Sequence, residues 1–258
     1  MTYIIFSVIL STMINPTGFA KSAYSAFLNL AYPKSCQGCG TRLDFDNKYY
    51  ICADCFKEIK INKPPLCIKC SRSLYGLPEI SALCGVCLSS AYHFDKAFVC
   101  CSYEGLIKEL IHKFKYNNRK YLIYLFDKII EDFMKDKITA CDINMAVPVP
   151  LYGARARERG FDQALLLSKN ISRALNIPLN YNILIRNRNT AQQANLGKTQ
   201  RFNNIKGAFS VREKSVFNKK NLLLVDDVFT TGATANECAK VLKQSGAKKV
   251  FLLTLARG

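Results

Sequence analysis

Two adjacent carboxylates, Asp226 and Asp227, stand just before a small, hydroxyl-rich turn, Thr230-Thr231-Gly232-Ala233-Thr234. Such a pair can accept hydrogen bonds from the vicinal hydroxyls of a sugar. The turn offers backbone N–H groups and threonine hydroxyls to an anion, and Gly232 lets that anion approach the main chain. Together they describe a phosphosugar site, with ring hydroxyls on the acids and phosphate on the turn. A second set of residues points to metal. Cys36/Cys39, Cys52/Cys55, Cys67/Cys70 and Cys84/Cys87 form four C-x-x-C pairs separated by 12, 11 and 13 residues. Each pair sets two thiolates on one knuckle, and two knuckles complete a tetrahedral Zn2+ site with no open position. Four pairs therefore allow two structural ions. Sequential pairing (first with second, third with fourth) is preferred over interleaved pairing, though the spacing admits both. An iron–sulfur cluster or a redox dithiol fits the regular spacing less well. A third set is basic: Arg155, Arg157 and Arg159 follow one apolar run, and Arg201 lies in a polar stretch, 186–209, that carries almost no acid.

These residues need a scaffold. Leu222 to Val225 is apolar without alternation, as in a parallel strand buried on both faces, and it delivers the two aspartates to its carboxyl end. A helix from the turn to about Ser245 would face the sheet with Ala235, Cys238, Ala239 and Leu242. Phe98–Tyr103, Met145–Val149 and Lys249–Leu255 read as further strands, and Ile183–Ile185 as a short one. In the helix predicted over Glu104–Tyr116, Leu106, Leu110, Ile111 and Phe114 turn inward, and Lys108, Lys113 and Lys115 outward. A second helix covers Tyr121–Lys137. The arginines at 155–159 read as a loop at a strand's carboxyl end, where α/β sheets bind ligands. Asp162 would cap the helix that runs to Leu175. Stretch 186–209 reads as a mobile lid. His93 and His112 read as surface or packing residues. Gly197-Lys198-Thr199 imitates a P-loop, but Gln192 stands where that motif needs glycine. The expected class is α/β: a Rossmann-like, mainly parallel sheet behind a small N-terminal zinc ribbon.

Charge agrees with an anionic ligand. The 258 residues carry a formal +18, and residues 155–225 hold 14 Lys+Arg against 3 Asp+Glu. That surplus suits pyrophosphate, nucleotides or nucleic acid. Eight of twelve cysteines in C-x-x-C pairs indicate metal binding in a reducing, cytoplasmic setting rather than a disulfide framework. Tyr3–Ile14 is apolar, but no Lys or Arg precedes it, and it falls short of the roughly 20 residues a spanning helix needs. No stable membrane insertion is expected. Residues 1–26 read as a leader, followed by a helix around Phe27, Leu28, Leu30 and Ala31 that ends at Pro33.

The order LLLVDDVFTTGAT at 222–234 resembles the ribose-phosphate signature of type I phosphoribosyltransferases. With the four C-x-x-C pairs, VPVPL at 147–151, RERGFDQA at 157–164 and the series Gln193, Leu196, Arg201, Asn204, Gly207-Ala208-Phe209, the chain resembles the ComF family of ComFC-like competence proteins. The resemblance implies a double zinc ribbon over 27–92 and a type I phosphoribosyltransferase domain over 93–258. It implies that Asp226 and Asp227 hold the ribose hydroxyls of phosphoribosyl pyrophosphate (PRPP), accompanied by Mg2+. It further implies that Thr230, Thr231, Gly232, Ala233 and Thr234 hold the 5′-phosphate, and that Arg155, Arg159 and Arg201 belong to pyrophosphate-contacting basic loops. Two positions depart from the family pattern: Asp162 where Asn is usual, and Ser71 where Gly is common. The family is linked to DNA uptake and natural transformation. Two activities are therefore expected: phosphoribosyl transfer to an unknown acceptor, or PRPP sensing without turnover by a protein that binds single-stranded DNA. For the latter, Phe161, Phe202 and Phe209 offer base-stacking surfaces.

Overall fold

The computed structural model describes residues 33–74, 82–89, 92–134, 137–138, 141–190 and 197–258. The leader 1–26, the helix expected over 27–31, Gln193 and Leu196 lie outside them. The chain divides into two compact units, Met1–Phe56 and Lys57–Gly258.

In the first unit, β1 (Lys34–Ser35) pairs antiparallel with β2 (Arg42–Leu43), with Lys34 opposite Leu43. The hairpin tip carries Cys36 and Cys39, and Gly40 turns it at φ +79°. Helix α1 (Ala53–Lys57) follows Cys52 and carries Cys55.

The second unit opens on the same plan. Leu66 and Ser73 bridge antiparallel around Cys67 and Cys70, and α2 (Gly85–Ser89) carries Cys87. Here Ser71 takes the left-handed position, φ +54°, that glycine holds in the first unit. Its hydroxyl donates to Ala97 O at 2.6 Å, a bond glycine could not supply. There follow β3 (Lys96–Ser102), α3 (Gly105–Tyr116), α4 (Ile123–Met134), β4 (Met145–Pro148), α5 (Gly153–Arg159) and α6 (Gln163–Ala174). The chain continues through β5 (Leu184–Arg186), α7 (Lys198–Ile205), β6 (Phe209–Val211), β7 (Asn221–Phe229), α8 (Ala233–Gln244) and β8 (Lys249–Arg257).

Four strands form one parallel sheet in the order β3-β8-β7-β4, with Leu224 beside Val147 and Asp226 beside Thr254. Both faces are covered, which explains the unalternating apolar run in β7. Leu222 and Leu224 pack with Val250 and Leu252 against Cys238, Ala239 and Leu242 of α8. Leu223 and Val225 point to the opposite face, where α6 lies on β4 and β7. Each such fully buried side chain contributes about 2 kcal/mol of transfer free energy. Cys100 and Cys101 are buried in β3, as expected of small apolar residues.

Three expectations change. The arginines of 155–159 form helix α5 rather than a loop, ended by Gly160 at φ +72°. Stretch 186–209 carries regular structure where composition suggests only loop: α7 spans Lys198–Ile205, and the strands at its ends, β5 and β6, pair antiparallel with Ile185 beside Ser210. The aromatics proposed for stacking are occupied. Phe209 is buried, Phe202 packs onto the core, and Phe161 sits edge-on to Phe114 with centroids 5.0 Å apart. Among the described residues no helix is long and apolar enough to cross a membrane.

Candidate functional site

The carboxyl ends of β4 and β7 open into a cleft of about 540 Å³. Asp226 and Asp227 reach it from the carboxyl-terminal half of strand β7, Thr230 and Thr234 from the turn, and Arg155 and Arg159 from α5. Arg201 enters from α7. These predicted residues, drawn from separate stretches, thus share one wall-to-wall site. Thr231, Gly232 and Ala233 do not line it. Gly232 and Ala233 are buried beneath the turn, and Thr231 Oγ1 accepts from Ala233 N at 3.4 Å. Gly232 sits at φ +81°, and a Cβ there would lie 2.5 Å from the Phe229 ring. Only glycine can make this bend into α8.

The acidic pair is asymmetric. Lys115 of α3 places Nζ 2.6 Å from Asp227 Oδ2, and the two side chains are 17% and 13% exposed. This corrects the outward placement of Lys115: one helix face carries it to the sheet end instead of to solvent. Burial would lower the Lys115 ammonium, but the Asp227 carboxylate outweighs that and raises it. Asp226 forms no ion pair among the described residues, although the Lys115 charge also acts on it. Burial, then the neighbouring Asp227 charge, pushes its carboxyl up to about 8.

The basic wall is fixed from behind. Arg159 donates to Gln163 Oε1 at 3.0 Å and to Tyr116 OH at 3.2 Å, and its guanidinium lies 4.9 Å from the Tyr116 ring centroid. Arg155 donates to Thr190 O at 2.6 Å, and Arg186 to Thr190 Oγ1. Arg186 is lowered by burial and then by Arg155. Two cleft-lining donors, Gln163 Nε2 and Arg186 Nε, are buried and without a hydrogen-bond partner among the described residues. Unmet donors beside three arginines call for an oxygen-rich anion. Asp162 does not contact that wall as an acid. Its Oδ1 accepts from Leu165 N at 2.9 Å, the expected helix cap, and its Oδ2 from Leu151 N at 3.3 Å. Arg157 is exposed and lines no part of the cleft. His112 does line it, with its ring 4.8 Å from that of Tyr116. Lys115 is the cleft residue that no motif marked, while Gln163 and Arg186 lie in stretches the sequence does mark but were not singled out there as donors.

The cysteines gather into Cys36/Cys39/Cys52/Cys55 and Cys67/Cys70/Cys84/Cys87, each with its sulfurs within 4.8 Å of one another. Pairing is therefore sequential. Cys39 and Cys52 sulfurs are 3.7 Å apart and those of Cys70 and Cys84 3.6 Å. A tetrahedron with Zn–S bonds of about 2.3 Å has edges of about 3.8 Å, so both tetrads fit Zn2+. Cys52 N donates to Cys36 Sγ and Cys84 N to Cys67 Sγ, each at 3.3 Å, which favours the thiolate that a metal requires.

The double zinc ribbon domain family matches residues 27–101. Competence protein F of Haemophilus influenzae is 34% identical over 211 residues, covering 80% of this chain and 90% of that protein. DNA utilization protein YhgH of Escherichia coli K12 is 30% identical with the same coverage of both. Among solved structures, an adenine phosphoribosyltransferase aligns at 13% identity and TM-score 0.35, over 54% of this chain and 74% of that one.

Proposed function

The chain belongs to the competence protein F (ComF) family, and from that premise we propose that it binds PRPP in the cleft at the end of β7 and acts in the handling of DNA taken up by the cell. What carries the reading is the meeting of the acidic pair, the turn and the arginine wall in one cleft. The 5′-phosphate rests on the Thr230–Thr234 turn and the ribose hydroxyls on Asp226 and Asp227. The pyrophosphate lies toward Arg155, Arg159 and Arg201, with Gln163 Nε2 and Arg186 Nε as further donors. Lys115 already meets the charge of Asp227, so the pair is no free Mg2+ cage. Mg2+ is expected as PRPP·Mg2+, where it would offset phosphate charge.

In a transfer reaction the C1′–O bond to pyrophosphate breaks, the arginines receive the departing anion, and an acceptor nitrogen forms the new bond to C1′. Positioning and electrostatics supply the catalysis, with no protein nucleophile. A second reading, PRPP sensing with single-stranded DNA binding, is favoured by the basic surplus of residues 155–225. With the three phenylalanines engaged elsewhere, that binding would rest on phosphate contacts, so it would weaken steeply between about 50 and 200 mM salt. Pyrophosphate release from PRPP over a panel of bases and amides tests the first reading. A salt titration of single-stranded DNA affinity tests the second, and a flat response removes it.

A further inference from the structure

We propose that the second metal knuckle, Cys67/Cys70/Cys84/Cys87, is a built-in support of the phosphate-binding turn, so that the ion it holds governs the turn's order and its grip on a phosphorylated sugar. The ligand assignment rests on the function proposed above; the mechanical link does not.

Four contacts join the knuckle to the turn. Three residues beyond the end of the fourth cysteine's helix in sequence, Tyr92 donates from its hydroxyl to Thr231 O at 3.1 Å, and its ring comes within 3.1 Å of the position a Gly232 Cβ would take. His93 N donates to Asn236 Oδ1 at 2.6 Å, in the first turn of α8. Arg257, at the end of β8, donates to the carbonyl of the metal-ligand residue Cys70 at 2.6 Å while its guanidinium lies 4.2 Å from the Phe229 ring centroid. Phe229 is the residue whose ring closes under Gly232, and it packs edge-on to Phe94, which stacks on Tyr92 at 4.8 Å. Cys70, Cys84, Tyr92, Phe229 and Ala233 share one buried cluster.

A short knuckle with so little core of its own depends on metal for its shape. Its loss would free Tyr92 and the carbonyl that anchors Arg257, and the turn would keep its covalent sequence but lose its backing. The first tetrad belongs to a separate compact unit and serves as the internal control.

The test uses the full chain. Zinc content, deuterium uptake over Thr230–Asn236 and PRPP·Mg2+ affinity are measured for the wild type, Cys84→Ser/Cys87→Ser, Cys52→Ser/Cys55→Ser and Tyr92→Phe. Each anchor lost should cost about five-fold, so the Cys84→Ser/Cys87→Ser variant should show about 25-fold faster uptake and weaker binding. Cys52→Ser/Cys55→Ser should lose as much zinc with both readouts unchanged. Tyr92→Phe should retain all zinc and shift both by about five-fold. Equal effects from the two cysteine variants, or wild-type uptake at the turn in Tyr92→Phe, would overturn the proposal. If the Cys84→Ser/Cys87→Ser variant does not fold, Tyr92→Phe decides alone. A wild type that ignores PRPP removes the ligand assignment, while deuterium uptake still tests the link.

Discussion

Replacing Lys115 by methionine removes one charge from the acidic pair while keeping most of the side chain's volume. The ammonium lies 2.6 Å from Asp227 Oδ2, and both side chains are largely sheltered from solvent. Two unit charges about 4 Å apart attract by about 4 kcal/mol at an effective dielectric near 20. Desolvation of both ions offsets much of this in the intact pair. Removing only the lysine recovers none of it, because Asp227 stays buried beside Asp226 without a counter-charge. Half-broken buried pairs cost about 3–5 kcal/mol, and the residual exposure here points to the low end, about 3 kcal/mol. The expected result is that Lys115→Met lowers unfolding free energy by that amount near neutral pH, and that Lys115→Met/Asp227→Asn regains most of it. Urea unfolding followed by far-ultraviolet circular dichroism suits a chain without tryptophan. PRPP affinity should fall by about ten-fold or more, since an unscreened carboxylate pair repels a polyanion. If the single-variant losses sum to that of the double variant within about 0.5 kcal/mol, the two groups are uncoupled and the asymmetric pair is wrong.

Gly232→Ala should destabilise by about 2–4 kcal/mol, from a left-handed backbone and from overpacking against the Phe229 ring, and should abolish PRPP binding. A stable variant with wild-type affinity would contradict the turn geometry. Asp127, on α4, accepts from Asn170 Nδ2 of α6 but leaves Oδ1 buried and without a partner among the described residues, and burial pushes it up to about 7. The folded chain thus keeps a proton that the unfolded chain releases between about pH 4 and 7, so its contribution to stability declines as pH rises through that window. Asp127→Asn should flatten this slope in urea midpoints; an unchanged slope refutes the assignment. Elemental analysis should find two zinc ions per chain, with Cys100, Cys101, Cys141 and Cys238 contributing no ligands. A metal-dependent change on substituting any of these four would contradict the tetrads.

The turn, the acidic pair and the cysteine tetrads were legible because each is local: a contiguous order or a fixed spacing states its chemistry. Helix α8 followed from periodicity alone, and Ala235, Cys238, Ala239 and Leu242 are all buried. Lys115 was misplaced because periodicity separates polar from apolar faces but cannot say what borders the polar one. Here it borders the carboxyl end of a strand formed much later in the chain. Helix α5 was hidden by its charge, since three arginines in seven residues leave no apolar stripe. Gln163 sits in the RERGFDQA stretch and Arg186 opens the basic stretch 186–209, but their unmet donors exist only once tertiary packing has buried them. Tyr92 and Arg257 are likewise silent in sequence, because their contacts join a cysteine knuckle to a turn far along the chain.

Calorimetric titration of the zinc-loaded protein with PRPP·Mg2+, beside Asp226→Ala/Asp227→Ala, addresses the phosphosugar cleft itself. Saturable one-site binding to the wild type, absent in a folded double variant with full zinc content, is the predicted result. Heat-silent wild type, or a double variant that binds as well as its parent, would contradict it.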